Sequence, residues 1–269
     1  MSFSYSSEKY FSIINKGYYN LFKIFKNNNY YFNLIKKGKL PRPHYALGLF
    51  LSSFLAKELK VKKISALEFG CWKGEALFDM EIFAKDIEKI MDVNIEIYGF
   101  EGGEGLPQSQ DYKDRLYQFS PGEMKTGSDN YFNKLTRTKT FFGTFKDTVN
   151  QFTNTNHAPI GCIFNDADYF SSTLDSFEVL KNLNKLMPKV YLYFDDLNFS
   201  SSLTGELGAI NEFNKKNNIQ IENIPEFAEY LSLYWRKWIF LAKRFYMVHN
   251  FEHKDYNKRY INALLSKKL

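Results

Sequence analysis

Residues 64–74 read ISALEFGCWKG, and this stretch decides the fold. Its first six residues form an apolar run that predicts a buried strand over 64–69. Gly70 and Gly74 follow at the spacing Gly-x-x-x-Gly and lead into a helical pattern over 75–91. Such a turn lets the backbone approach a nucleoside ligand closely, although an ordinary strand-to-helix turn explains it equally well when taken alone. It is not the dinucleotide fingerprint Gly-x-Gly-x-x-Gly.

The same alternation of strand and helix continues along the chain at roughly 25–35 residues per unit. Further helices are predicted over residues 173–186 and 206–217. Six more strands are predicted over residues 94–100, 138–142, 159–164, 190–194, 219–224 and 235–242. The expected fold is therefore an α/β, Rossmann-like, doubly wound and mostly parallel sheet of seven strands. In such sheets ligands bind beyond the carboxyl ends of the strands.

The first 60 residues have a different texture. Aromatic and aliphatic residues recur every three or four positions over residues 8–40, which predicts two amphipathic helices broken at residues 27–29. Prolines at positions 41 and 43 interrupt the pattern, and a further helix is predicted over residues 44–59. We expect residues 1–60 to be a helical extension (a lid, a dimerisation surface or an added core layer) before an α/β domain at 61–269.

Composition and charge exclude several classes of protein. The 269 residues are 44% hydrophobic and 25% charged, which excludes a disordered tail protein. The net charge of +6 is spread along the chain, so no nucleic-acid partner is expected. Two cysteines 91 positions apart, Cys71 and Cys162, exclude a disulfide framework. With no signal-peptide layout and no apolar run long enough for a membrane span, we expect a soluble, cytoplasmic protein.

Acidic residues end the first two predicted strands. Glu68 lies inside the end of the first, and Glu101 ends the second, 33 residues further on. A carboxylate at the second position can accept hydrogen bonds from both hydroxyls of a ribose. Together with the turn at Gly70, these two acids favour a nucleoside site over exposed acids at the start of loops.

Four aspartates follow the fourth and fifth predicted strands: Asp166, Asp168, Asp195 and Asp196. Adjacent parallel strands bring their carboxyl ends together, and carboxylates at such short range repel one another. A divalent cation is the natural compensation, and oxygen ligands favour Mg²⁺, Mn²⁺ or Ca²⁺ over zinc. Helix capping explains one or two of these aspartates but not all four.

Four segments, in order, resemble the macrocin O-methyltransferase (TylF/MycF) family of S-adenosylmethionine-dependent sugar O-methyltransferases. They are GFEGGEGLP at 99–107, FGTFKDT at 142–148, DADYFSST at 166–173, and FDD at 194–196 followed by GELGAINEF at 205–213. Departures from the family pattern include Glu101 in place of Asp and Pro188-Lys189 in place of Gly-Gly. These departures indicate a remote member whose acceptor need not be a macrolide sugar.

The resemblance implies metal-assisted methyl transfer from S-adenosylmethionine to a hydroxyl of a sugar or sugar-containing metabolite, of the surface-polysaccharide or natural-product type. It implies the metal ligands Asp166, Asp195 and Asp196, with Mg²⁺ as the expected cation, and the catalytic bases Asp166 or Asp168. The cofactor residues it implies are Glu68, Gly70, Cys71, Trp72, Gly74, Glu101, Gly102, Gly143, Thr144 and Asp166. Ser171, Ser172 and Thr173 are expected to cap a helix. The partners implied are a small-molecule or glycan acceptor and a possible second copy in a homodimer.

Three alternatives stay open. One is a methyltransferase of the same fold that acts on a phenolic, carboxylate or phosphorus-linked group. The second is a nicotinamide-dependent enzyme, which the missing glycine fingerprint disfavours. The third is a non-catalytic scaffold or partner subunit, which the costly aspartate cluster disfavours.

Overall fold

The computed structural model describes residues 30–114, 120–126, 129–224 and 239–257. The seven strands in this part of the chain are β1 (Lys63–Phe69), β2 (Asn94–Glu101), β3 (Lys139–Phe142), β4 (Ile160–Asn165), β5 (Leu186–Phe194), β6 (Gln220–Asn223) and β7 (Phe245–His249). They form one sheet in the order β3-β2-β1-β4-β5-β7-β6. Strand β7 pairs antiparallel with β5 and β6, whereas the pairs among β1 to β5 are parallel. The predicted doubly wound, mostly parallel sheet is confirmed.

Helices cover the sheet. They are α1 (Tyr30–Lys36), α2 (Pro43–Glu58), α3 (Glu75–Met91), α4 (Phe145–Thr153), α5 (Phe170–Ser176), α6 (Gly205–Lys216) and α7 (Ile239–Ala242). Both faces of β1, β4 and β5 are buried, which explains why these strands read as continuous apolar runs. Helix α2 is buried over nearly its whole length and packs on this central part of the sheet.

Two predictions about the elements need correction. The helix predicted over 173–186 ends at Ser176, and two 3₁₀ segments continue to β5. The two helix types share the i, i+3 spacing of apolar residues, so the pattern does not separate them. The strand predicted over 235–242 is wrong at 239–242, which forms α7, while the last strand lies at Phe245–His249. Residues 235–238, and the N-terminal pattern up to residue 29, lie outside the described residues.

The strand order places the predicted site at the centre of the sheet. The chain runs outward from β1 to β3 on one side and from β4 to β5 on the other, so the direction of winding switches between β1 and β4. The pairing aligns Phe69 with Asn165 and Asn165 with Phe194. Residues 70, 166 and 195 therefore leave the sheet side by side, where ligands bind in folds of this kind.

The described helices include none that is both long and apolar enough to cross a membrane.

Candidate active site

Gly70 is required where β1 leaves the sheet. Its φ of +81° lies in the left-handed region, and a Cβ at this position would meet the carbonyl oxygen of Asp166 at 1.9 Å. The amide of Asp166 donates to the carbonyl of Phe69, at 2.9 Å. The ends of β1 and β4 are thus in backbone contact, and any side chain at position 70 would separate them.

Glu101 holds the turn that follows Gly70. Its Oε2 accepts hydrogen bonds from the amides of Cys71, at 3.0 Å, and Trp72, at 2.7 Å, and its Oε1 accepts one from Gly103, at 2.8 Å. A carboxylate has about four acceptor positions, and three are occupied here. These bonds leave Glu101 room for about one hydrogen bond from a ribose hydroxyl, and its contact with the ribose stays a prediction.

A cavity of about 550 Å³ opens beside this turn, within the size range of small-molecule sites. Seven of the predicted cofactor residues line it: Gly70, Trp72, Glu101, Gly102, Gly143, Thr144 and Asp166. Its apolar lining includes Leu106, Pro107, Met124 and Phe145, and Asp168 lies on its wall. A cavity with both apolar and acidic walls suits a ligand that combines an aromatic ring with a positive charge.

The other three predicted cofactor residues are not part of the cavity lining. Glu68 is 2% exposed and its Oε1 accepts a hydrogen bond from the Tyr45 hydroxyl of α2, at 2.7 Å. Burial raises the pKa of Glu68 to about 7. Cys71 is buried with its thiol directed to the carbonyls of Glu68 and Phe100, and Gly74 precedes α3 in contact with Phe132. All three lie next to the turn and outside the cavity lining.

Three aspartates come together at the tips of β4 and β5. Asp166, Asp168 and Asp196 each offer a carboxylate oxygen, and these oxygens all lie within 4.8 Å of one another. Asp168 reaches the group from a backbone with φ of +56°, a conformation that few residues other than glycine adopt. The Asp196 side chain makes no capping hydrogen bond to the 3₁₀ turn at Leu197–Phe199, so capping does not explain its position.

The electrostatics of this group are unfavourable without a compensating charge. Burial, followed by the charge of Asp195, raises the pKa of Asp166 well above its usual value. Burial and the charge of Asp196 likewise raise the pKa of Asp168, and burial raises that of Asp196. Because the aspartates destabilise each other's charge, the group is suited to a divalent cation, and its donor set is the all-oxygen set that Mg²⁺ prefers.

The grouping differs from the predicted metal ligands in one member. Asp195 lies near Asp166, but its Oδ1 accepts hydrogen bonds from Nη1 of Arg244, at 2.8 Å, and from the Tyr193 hydroxyl, at 3.0 Å. Asp168, which the resemblance suggested as a base, takes its place among the converging oxygens.

Two acidic residues near the site were missed in the sequence. Glu206 is fully buried and accepts hydrogen bonds from the amide of Asp196, at 2.8 Å, and from Asn165. Asp114, also fully buried, accepts bonds from Gln110 and from both the amide and the hydroxyl of Ser171. Gln110 and Ser171 line the cavity, so Asp114 ties two of its walls together.

The predicted capping role of the serines and threonine is also wrong. Helix α5 begins at Phe170, after Tyr169, and has no side-chain cap. Ser171 and Ser172 line the cavity instead, and the Thr173 hydroxyl donates to the carbonyl of Tyr169 inside the helix.

No protein-family model matches the chain, and no curated protein does. Among solved structures, it is similar to CalS11, a calicheamicin methyltransferase, with a TM-score of 0.50 and 18% identity over 78% of this chain and 88% of that one. An apo structure of CalS11, described as a TDP-rhamnose 3'-O-methyltransferase, gives a TM-score of 0.43 at 18% identity, over 78% and 89%. An O-methyltransferase from Bacillus cereus gives 0.36 at 13%, over 77% and 89%. The first likeness shows that this chain has a methyltransferase fold.

Proposed function

We propose that this protein is an S-adenosylmethionine-dependent O-methyltransferase, assisted by a divalent cation, that acts on a hydroxyl of a sugar or sugar-containing metabolite. The observation that carries the proposal is the position of Asp166. This residue lines the 550 Å³ cavity and also belongs to the group of three converging carboxylates. A cofactor site and a cation site that share a residue suit metal-assisted methyl transfer, in which the acceptor oxygen must lie close to the methyl group.

The residues around the cavity fit S-adenosylmethionine. This cofactor supplies an electrophilic methyl group on a sulfonium, and the acidic lining of Glu101, Asp166 and Asp168 favours its positive charge. The close passage of Gly70 against Asp166 keeps the cavity floor free of side chains. The acceptor position left on Glu101 suits one ribose hydroxyl, and Gly143 and Thr144 also line the cavity.

The carboxylates Asp166, Asp168 and Asp196 fit a cation such as Mg²⁺. A cation there would favour loss of the proton from an acceptor hydroxyl and would help to align it with the methyl group. Asp166 and Asp168 face the cavity, so they are the candidates to accept that proton. Alignment of the reacting atoms accounts for a large part of the rate in displacements of this kind.

A sugar-containing acceptor is supported by two resemblances. The motif segments resemble those of a family of sugar O-methyltransferases, and the structurally similar CalS11 is described as acting on TDP-rhamnose. We place the reaction in the cytoplasm, in keeping with the free thiols of Cys71 and Cys162. The division at residue 60 and the homodimer remain predictions.

The test is methyl transfer by the purified full chain. Labelled S-adenosylmethionine is supplied with a panel of nucleotide sugars, free glycosides, catechols and carboxylic acids, each with Mg²⁺ or with EDTA. We expect transfer to a sugar hydroxyl that EDTA abolishes and Mg²⁺ restores. Transfer only to another class of acceptor would contradict the proposed sugar acceptor. Transfer that EDTA does not affect would contradict the role of the cation. If calorimetry detected no binding of S-adenosylhomocysteine, the entire proposal would be contradicted.

A further inference from the structure

Asp195 and its neighbour Asp196 have different surroundings although they are adjacent in sequence. The amide of Asp196 donates to buried Glu206, and the Asp196 side chain faces Asp166 and Asp168. The Asp195 carboxylate is instead held by Arg244 and by the Tyr193 hydroxyl. The two consecutive aspartates, which the sequence does not distinguish, thus lie in different environments.

Arg244 is fixed where it meets Asp195. It immediately precedes β7, whose first residue Phe245 pairs with Tyr193 of β5. The carbonyl of Arg244 accepts the amide of Phe194, at 3.2 Å, and its side chain is only 8% exposed. A buried guanidinium requires an anionic partner, and Asp195, whose side chain is 44% exposed, supplies it.

Arg244 also stands out by its charge. Within the described part of the chain, it is the one basic side chain that forms an ion pair with any of the five carboxylates at this edge of the sheet: Asp166, Asp168, Asp195, Asp196 and Glu206. Its ion pair is with Asp195, although its charge also acts to lower the pKa of Asp196, which burial raises.

Asp168 occupies the place that Asp195 leaves. Its left-handed backbone conformation lies in a tight turn in which the amide of Tyr169 donates to the carbonyl of Ala167. Such a conformation is uncommon for a residue other than glycine and persists where its surroundings impose it. In this turn a carboxylate oxygen of Asp168 comes within 4.8 Å of oxygens of Asp166 and Asp196.

We propose that Arg244 is a positioning residue that withholds Asp195 from the divalent cation, so that Asp166, Asp168 and Asp196 are the protein ligands. This inference rests on the cation site of the proposed function. It assigns to Arg244 the choice of which carboxylates coordinate, a role that a general structural contact does not have.

The first test compares two aspartates by Mn²⁺ titration, followed by electron paramagnetic resonance of the free ion, and requires no acceptor. We expect Asp168→Asn to weaken Mn²⁺ binding at least about tenfold, because a ligand is lost. Asp195→Asn should change the dissociation constant by no more than about threefold. An equal or larger loss in D195N than in D168N would overturn the proposal, as would the absence of Mn²⁺ binding to the wild type.

The second test is a double-mutant cycle. In an Arg244→Met background Asp195 is released, so adding D195N should now weaken Mn²⁺ binding about tenfold. In the matched Arg244→Lys background the ion pair is kept, and D195N should remain nearly silent. The same small effect of D195N in all three backgrounds would show that Arg244 withholds nothing.

These outcomes remain separable from the proposed function. Thermal unfolding of each variant identifies those that fail to fold, and the comparison of D168N with D195N stands without any change at Arg244. If methyl transfer occurs but the variants indicate another set of ligands, the proposed function stands and only the inference on Arg244 is contradicted. If the Mn²⁺ titrations give the expected results but no methyl transfer occurs, the inference on Arg244 stands and the proposed function is contradicted.

Discussion

Two kinds of buried carboxylate occur in this molecule, and their surroundings are opposite. Glu81 on α3 accepts hydrogen bonds from five donors, which are the amides of Thr136, Arg137 and Thr138 and two threonine hydroxyls. Burial acts to raise the pKa of Glu81, but these donors outweigh it and lower the pKa to about 2. Asp166 lies among other carboxylates, and its pKa is raised.

The difference indicates how to tell structural from functional acids. A carboxylate saturated by N–H and O–H donors is a stable anion, and Glu81 uses its charge to hold the segment that leads into β3. Carboxylates that face each other have stored repulsion, which only a cation or protons relieve. On this criterion Glu81 is architectural, whereas Asp166, Asp168 and Asp196 are the candidates for a ligand site.

The largest expected effect on turnover is at the three converging aspartates. Asp166→Asn should lower turnover on the order of a thousandfold, because the change removes a cation ligand and a candidate base. The free energy of unfolding should stay equal or rise at pH 8, since one repelling charge is gone. Steady-state kinetics and urea denaturation measure both, with exposed Asp92→Asn as control. A large loss of stability would place Asp166 with the structural acids.

Glu81 should behave in the opposite way. Glu81→Gln should cost roughly 3 kcal/mol of unfolding free energy at pH 7 and leave the kcat of folded protein unchanged. The folded pKa of about 2 lies below the ordinary 4.5, so this stabilisation is full above pH 4.5 and is lost as the pH falls towards 2. The difference in unfolding free energy between wild type and variant should therefore be smaller at pH 3 than at pH 7, as measured by denaturation curves at both pH values. A constant gap would contradict the charge argument.

Glu68 is an intermediate case, because it is buried with a single tyrosine donor. Its pKa of about 7 in the folded protein lies above the ordinary 4.5, so wild-type stability is greatest below pH 4.5 as far as this group is concerned. The free energy of unfolding of the wild type should fall by roughly 2–3 kcal/mol as the pH rises from 4.5 through 7. Glu68→Gln, which keeps an acceptor for Tyr45, should lack this part of the pH dependence in urea titrations. Equal slopes between pH 5 and pH 8 would refute it.

The sequence predicted the sheet and the tips of its strands because both depend on local pattern. Buried parallel strands are continuous apolar runs, and their ends are marked by Gly70, Glu101, Asp166 and Asp195. The ligand-binding edge of such a sheet follows from its topology, so the convergence of the aspartates could be expected before their geometry was known.

The pairing of Asp195 could not be predicted in this way. The strand predicted over 235–242 was misplaced, since a short apolar run does not distinguish strand from helix. With β7 put too early, nothing in the sequence pattern placed Arg244 beside the end of β5. The amide donors that occupy Glu101 and the contact of Tyr45 with Glu68 depend on tertiary packing that has no local signature.

The smallest expected effect concerns Asp114, which is saturated like Glu81 but borders the cavity. Asp114→Asn replaces one acceptor oxygen by a donor amide facing the amides of Gln110 and Ser171. The free energy of unfolding should fall by about 1–2 kcal/mol, because buried N–H donors lose their partner.

Because Gln110 and Ser171 line the cavity, the KM for S-adenosylmethionine should rise several-fold in Asp114→Asn, with little change in kcat. Asp111→Asn, on the same loop, is the matched control, because the Asp111 carboxylate accepts from the amide of Lys113 and is not part of the cavity lining; it should move neither quantity appreciably. A fall in kcat with an unchanged KM would assign Asp114 to the chemistry at Asp166. The division between donor-saturated carboxylates and the three converging aspartates would then fail at this residue.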